Sequence, residues 1–415
     1  MPVEIIDKSE LRHFISPHRN QNCGIHNWHL FKHGYSKELI NKLVQYFHLA
    51  KGNWVLDPFC GGGTTLLACK ELGINSRGFD ILPFSVFLSN VKVDDYDDKE
   101  LLKQLKVLKR KKLRNDDDRV LPDIPIVEKA FRPDVATKLL SIKSTIEKNV
   151  KSPKVRAFFN LGFLSILESV SNTSKTGGFL RITDRQVNPD EIWGIFISKV
   201  ESMIQDVVQV NKDGKRKKVS SSAKIGDARK LSTKRVFDAV ITSPPYPNRH
   251  DYTRIYSLEM MFDFISDNEQ LKKIRYETIR SHVEARKRYE AIGYEKPEAL
   301  ESLLSKVKRN GTNNPQVINM LEGYFEDMYL SLSEIHRCLK NGGKVAMVIS
   351  NVRFAGVNIP VDELLSEIGT QAGLTPKEIW AVRYRGNSSQ QMRDYTRKPS
   401  RESIVIWQKD IEGSL

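Results

Sequence analysis

The sequence predicts an α/β fold, a mostly parallel sheet with helices on both faces, plus mainly helical insertions. Three observations predict it. Trp54-Val55-Leu56 is the short apolar run of a buried strand, DPFCGGG has the composition of a glycine-rich turn, and TTLLACKEL reads as a helix stopped by Gly73. A second strand then ends over 76–80, at Asp80. Strand, turn, helix, strand is a βαβ unit, which sets its two strands parallel in one sheet. The same texture returns at VFDAVIT (236–242) and KVAMVIS (344–350).

In chain order, residues 1–35 read as irregular, polar and rich in histidine. A helix follows Ser36, an N-cap residue, with Leu39, Ile40, Leu43, Val44 and Phe47 at helical spacing. The βαβ unit comes next. Beyond 91 the texture changes. Leucines at 101, 102, 105 and 108 mark an amphipathic helix that runs into KRKKLR and a DDD loop, and the proline-punctuated LPDIPIVEKAFRP reads as irregular. Residues 134–172 and 190–209 read as helical, with Phe158, Phe159, Leu161, Phe163, Leu164 and Leu167 crowding one face. NKDGKRKKVSSSAK (211–224) reads as a basic, turn-rich connector. Later come a polar interruption at 266–318, a helix over 322–339 stopped by Asn341-Gly342-Gly343, a helix over 361–372 and a last strand over 403–407. The division that follows is 1–91 and 223–415 as two parts of one sheet domain, with a mainly helical insertion at 92–222 and a basic one at 266–318.

Composition narrows the class. At 40% hydrophobic and 28% charged, the 415 residues suit a globular protein, and no apolar run reaches the length of a membrane span. The start lacks the layout of a secretory signal, and Cys23, Cys60, Cys69 and Cys338 are scattered without CxxC pairs. A cytoplasmic protein without a disulfide framework is expected. His13, His26, His29 and His33 crowd the N-terminal region without a coordinating Cys or carboxylate pattern, so no metal site is expected. The 66 Lys and Arg against 51 Asp and Glu leave a net charge of +15, which favours a polyanionic partner through counterion release.

The turn VLDPFCGGGTT puts Gly61, Gly62 and Gly63 where a ligand must approach backbone closely, and the helix from Thr64 offers it free N–H groups. Its spacing is neither GxGxxG nor a phosphate loop. Asp57 inside it would repel a pyrophosphate but accept a bond from an ammonium group, which suits S-adenosylmethionine. Asp80 is placed to accept ribose hydroxyls, and Asp227 in IGDARKL adds a third carboxylate. The run Asp238 to Tyr246 reads as a strand entering Ser243-Pro244-Pro245-Tyr246. Two prolines fix φ and remove donors, so the Ser243 hydroxyl and neighbouring carbonyls are aimed as acceptors for an aromatic amine. Tyr246 offers a flat face to stack a base withdrawn from its duplex. Direct transfer to an amine needs no covalent nucleophile.

DPFCGGGTT together with TSPPY resembles the DNA amino-methyltransferases, and the Ser form of the tetrapeptide is similar to the N4-cytosine branch; N6-adenine members more often carry Asp or Asn there. The resemblance covers 26–91, 225–265 and 322–408. It implies a Rossmann-like S-adenosylmethionine-dependent fold with an antiparallel final strand. It implies that Asp57, Pro58, Phe59, Gly61, Gly63 and Thr64 contact the cofactor, with Asp80 on the ribose and Asp227 near the adenine amine. The stretch from His29 to Ser36 resembles the motif that holds the methionine end, which brings in Phe31 and Tyr35. YSLE at 256–259 and RES at 401–403 are also similar to family segments. The implied partners are double-stranded DNA and a cognate restriction endonuclease. The alternatives are an N6-adenine enzyme, a same-fold enzyme acting on RNA such as tRNA, and a silent DNA-binding protein. Of the insertions, 266–318 interleaves Arg275, Arg280, Arg286, Lys287 and Arg288 with tyrosines, which suits phosphate contact and base stacking. The other, 92–222, is a second candidate for reading the DNA sequence.

Overall fold

The computed structural model describes residues 3–113, 121–122, 124–214, 217–312, 314–385, 395 and 398–411. The DDD loop at 116–118 lies outside them. The chain opens with β1 (Glu4–Asp7), α1 (Lys37–Tyr46), β2 (Trp54–Asp57), α2 (Thr64–Leu72), β3 (Asn75–Asp80) and α3 (Pro83–Val93). Five helices follow, α4 (Asp98–Lys109), α5 (Pro125–Ala130), α6 (Pro133–Asn149), α7 (Pro153–Ile166) and α8 (Ile192–Lys212), with the hairpin of β4 (Thr173–Thr176) and β5 (Phe179–Ile182) set between the last two. The sheet resumes with β6 (Ser221–Ile225) and β7 (Phe237–Thr242). After it come α9 (Tyr252–Ile255), α10 (Ser257–Asp263), α11 (Asn268–Glu277), α12 (Glu298–Asn310) and α13 (Gln316–Cys338). Last are β8 (Leu339–Ser350), β9 (Val352–Phe354), β10 (Val357–Ile359), α14 (Val361–Gln371), β11 (Leu374–Arg385) and β12 (Ser400–Lys409).

Eight strands form one sheet in the order β1-β11-β12-β8-β7-β2-β3-β6. All neighbours are parallel except β12, which runs antiparallel to both β8 and β11. The fold is thus a mostly parallel α/β sheet with an antiparallel final strand. Its strands are apolar on both faces, as covered parallel strands must be. Val55, Ala239, Ile241, Ala346 and Val348 pack with α1 and α2, while Leu56, Val240, Val345 and Met347 pack with α13 and α14. Helices α4 to α8 build an apolar cluster of their own that continues onto α3 and α10. Because β2 is flanked by β3 on one side and β7 on the other, the strand order reverses there. Clefts for ligands form outside the carboxyl ends of strands at such a reversal.

Several expectations are corrected. The first residues are not all irregular, since β1 pairs with β11 across almost the whole chain. The segment around LPDIPIVEKAFRP is helical: Pro125 and Pro133 each open a helix, where a missing N–H costs nothing. The connector at 211–224 ends in an edge strand, β6, paired to β3. Ser36 stands at the N-cap of α1 in extended backbone but its side chain makes no cap bond. Gly342 and Gly343 do not stop α13, which ends at Cys338. Instead they sit within β8, where the register against β7 slips between Phe237 and Ala239 and Gly342 takes a φ of 77°. A bulge, rather than a cap, needs the glycines there. Among the described residues no helix is long and apolar enough to cross a membrane.

Candidate active site

The glycine turn is shaped by what lies on it. Gly61 has a φ of 46° and Gly63 of 74°. A Cβ on Gly62 would stand 2.5 Å from the Cβ of Phe31, so the aromatic ring rests directly on the loop. Phe31 in turn stacks on Tyr256 at 4.4 Å between ring centroids. Beneath the turn the buried Lys92 donates to the carbonyls of His26, His29 and Gly62 at 3.2, 2.9 and 3.2 Å, tying the N-terminal segment to the loop. Burial pulls the Lys92 ammonium down to about 7.

Three aspartates face the cleft, with Glu277 also on its lining. Asp57 at the tip of β2 accepts from Thr242 Oγ1 at 2.7 Å, from Tyr35 Oη at 3.3 Å and from the Phe59 amide at 3.2 Å. Burial raises its pKa although these donors oppose the shift. Asp80, ending β3, accepts the Gly61 and Leu82 amides at 2.9 Å each, and burial lifts it to about 6. Asp227 is gripped by Arg229 through Nε and Nη2 at 2.9 and 2.8 Å and by the Tyr289 hydroxyl at 3.2 Å. Burial acts to raise the Asp227 pKa, but Arg229 outweighs it and holds the group ionised.

Two cavities meet at the ends of β2 and β7. The first is lined by Phe31, Tyr35, Asp57, Pro58, Phe59, Gly61, Thr64, Asp80, Asp227 and Pro245 among others. The second is lined by Pro244, Tyr246, Lys32, Lys175, Arg385 and Glu402 among others. His33, Gly34, Tyr35, Ser243 and Tyr252 belong to both, so a common wall divides them. Of the expected cofactor contacts, Gly63 stands apart: a Cβ there would meet Ser89 of α3 at 2.8 Å, and Cys60 and Gly62 line the cavity in its place. The first cavity suits a nucleoside with an ammonium-bearing tail. It offers apolar walls from Phe59, Ile81, Leu82 and Ile279, a carboxylate at each of two strand ends, and, among the described residues, no lysine or arginine that a pyrophosphate would call for.

Within the second cavity, Ser243 Oγ donates to Tyr246 Oη at 3.5 Å, which donates to Glu402 at 3.4 Å. Glu402, buried on β12, is held by Arg383 and, at 3.1 Å, by Arg385. The His33 and His250 rings meet edge to face. Burial, then the mutual repulsion of the two rings, brings His33 down to about 3, and burial also lowers His250, so both are neutral at pH 7. Below lies a buried knot in which Glu259 of α10 binds His29 at 3.0 Å and ion-pairs with Lys175 of β4. Burial alone would raise the Glu259 pKa, but Lys175 and His29 bring it down to about 2.

The basic insertion divides. Arg286 and Arg288 are exposed, Arg286 lying 4.4 Å over the Tyr276 ring. Lys287 is half-buried beside Asp227 at 3.8 Å. Arg275 and Arg280 are corrected: both are buried in ion pairs, Arg275 with Asp251 at 2.8 Å and Arg280 with Asp327 at 2.7 Å and Glu326 at 2.9 Å. No phosphate can reach them, because a buried guanidinium must be paired internally. The same insertion brings Thr278, Ile279, Ser281 and His282 to the first cavity, a placement its polar sequence did not signal. Lys92, His250, Tyr252 and Arg385 were also not singled out, because isolated residues distant in sequence carry no spacing signal. Tyr256, Glu259 and Glu402 had one, in YSLE and RES. Among the described residues no group of His, Cys, Asp and Glu is placed to hold a metal ion.

A DNA methylase family model matches residues 11–89, the segment that holds the glycine turn. The chain is 32% identical to the Type II methyltransferase M.BsoBI of Geobacillus stearothermophilus, over 98% of its own length and 90% of that protein's. It is 28% identical to the Type II methyltransferase M.AvaI of Nostoc sp., over 97% and 90%. To the Type II methyltransferase M.MvaI of Kocuria varians it is 21% identical, over 83% and 80%. With likeness along nearly the whole chain and a cleft suited to S-adenosylmethionine beside the Ser-Pro-Pro-Tyr turn, the chain belongs to the S-adenosylmethionine-dependent DNA amino-methyltransferases.

Proposed function

We propose that the protein methylates the exocyclic N4 amine of a cytosine turned out of double-stranded DNA, as the modification partner of a restriction endonuclease in the cytoplasm. The observation that carries this is Ser243 on the wall common to both cavities. S-adenosylmethionine, when bound, supplies a methyl group on a sulfonium. Asp57, Asp80 and Asp227, with Phe31, Phe59 and Thr64, are the residues that would hold it in the first cavity.

The second cavity is the place for the base. Ser243 donates its hydroxyl hydrogen toward Tyr246, and Tyr246 toward Glu402, so the Ser243 lone pairs stay free to accept an amine hydrogen. Pro244 and Pro245 lack N–H groups that would compete for those acceptors. With its hydrogens so engaged, the amine turns its own lone pair toward the first cavity. Holding the two reacting atoms in line would supply most of the acceleration: as the N–C bond formed the methyl–sulfur bond would break, its electron pair staying on a neutral thioether, and the amine's surplus proton would pass to solvent water.

Cytosine is favoured over adenine by the donors in the cavity. Beyond its amine, cytosine shows two acceptors, N3 and O2, while adenine shows only N1 along that edge. Arg385 ion-pairs with Glu402 through Nε, and neutral His250 has one N–H to give, while that of neutral His33 is directed at the Gly177 carbonyl. Nothing acidic stands at position 243. We assign reading of the DNA sequence to 92–222 and 266–318, of which Arg286 and Arg288 present charge to solvent.

Nucleoside mass spectrometry on DNA and tRNA from cells expressing the wild type and Ser243→Ala tests this reading. N4-methylcytosine in DNA, absent with the variant, is expected. N6-methyladenine would overturn the base, and a mark confined to tRNA would overturn the substrate.

A further inference from the structure

The second cavity is lined in part by Lys175 and Gly177 of the hairpin of β4 and β5, which the transfer chemistry leaves without a task. Its register runs from Thr173 opposite Ile182 to Thr176 opposite Phe179, with Gly177 and Gly178 as the turn. Gly177 lines the cavity and takes a φ of 58°. A Cβ on Gly178 would stand 2.7 Å from the His250 ring, so the turn lies flush against the cavity wall. The first strand is anchored at both polar ends. Lys175 is buried, ion-paired to Glu259 and 4.9 Å from the centre of the Tyr256 ring, while its carbonyl accepts from Lys32 Nζ at 2.7 Å.

The second strand is the reverse. Phe179 is 57% exposed and Ile182 47% exposed, although Leu180 between them is buried. Arg181 is exposed as well. An aromatic ring held in solvent has lost apolar burial without a visible return among the described residues. Its position supplies one. A base that leaves a duplex for the cavity leaves a gap, and closing or refilling that gap decides how long the base stays out. Extrusion costs stacking and pairing free energy, and apolar side chains pushed between base steps recover part of it.

We propose that Phe179 is the wedge that enters the duplex where the target base departs, with Arg181 on a flanking phosphate. This rests on the base-extrusion reading above. The wedge stabilises the emptied stack, whereas Ser243 and its neighbours act on the base already out.

The test compares two short duplexes carrying the site mapped by methylation-sensitive sequencing. In one the target base is paired; in the other it faces an abasic position and is already unstacked. For Phe179→Ala, folded as judged by an unchanged melting temperature, the ratio of paired to abasic methylation rate falls by about tenfold relative to the wild type, since only the paired target must be forced out. Phe179→Trp restores the ratio. An unchanged ratio in Phe179→Ala, with the wild type active on the paired duplex, would overturn the wedge alone. A wild type active only on single strands would overturn extrusion and the wedge with it.

Discussion

Thr242 Oγ1 donates a 2.7 Å hydrogen bond to Asp57 Oδ1, joining the tip of β7 to the tip of β2. The two residues are far apart in sequence and fully inside the protein. The bond fixes the distance between the two cavities, because Ser243 follows Thr242 directly and the glycine turn follows Asp57. Thr242→Val should leave the Asp57 carboxylate short of a donor and destabilise the fold by about 1–3 kcal/mol. Urea unfolding of variant and wild type measures it, and methyl transfer should fall further than cofactor affinity.

Ser243→Ala removes the acceptor proposed for the amine without touching the Asp57 contacts. The expected result is a fall in kcat of about 100-fold or more, the usual scale for one preorganised polar contact. S-adenosylmethionine affinity measured by calorimetry should change by less than about twofold, since the donor cavity keeps its charged groups.

Cofactor binding should depend on pH through Asp80. Burial raises its pKa to about 6. Ribose hydroxyls donate better to the ionised form, so affinity should rise as pH increases through that value and weaken below it. Calorimetric titration across that interval should show the rise in the wild type and a flat response in Asp80→Asn.

The Glu259–Lys175 pair should matter to stability and to the hairpin together. Glu259 has a folded pKa of about 2, below its ordinary value of 4.5. A depressed carboxylate contributes its stability above the unfolded pKa, and that contribution is lost as pH falls from about 4.5 toward about 2. Lys175→Met leaves a buried carboxylate with only His29 and should cost about 3–5 kcal/mol. Chemical denaturation at neutral pH measures the cost, and the deficit should narrow in acid.

The basic insertion should separate by burial. Arg286→Ala with Arg288→Ala should weaken DNA binding and reduce the slope of log affinity against log salt by up to about 0.9 per lost phosphate contact. Fluorescence anisotropy over a salt series reads this. Arg280→Ala should instead lower the melting temperature, because Asp327 loses one of its two guanidinium partners.

The sheet and its site were legible in unequal parts. Sequence alone determined the βαβ unit, the glycine turn and the proline tetrapeptide, since each is local: strand, turn and helix preferences act over a few residues, and DPFCGGGTT and SPPY carry their geometry in their own φ restrictions. Edge strands β1 and β6 escaped because a short strand is stabilised by a partner, not by its own composition. The arginines at 275 and 280 read as surface charge because burial cannot be seen from residue type when the compensating carboxylates, Asp251 and Asp327, lie on other elements. Only tertiary structure decided that Asp57 and Thr242 touch, that one wall serves both cavities, and that the Gly177–Gly178 turn lies on His250. Those are contacts between residues distant along the chain, fixed by how strands order in the sheet and how helices close over it.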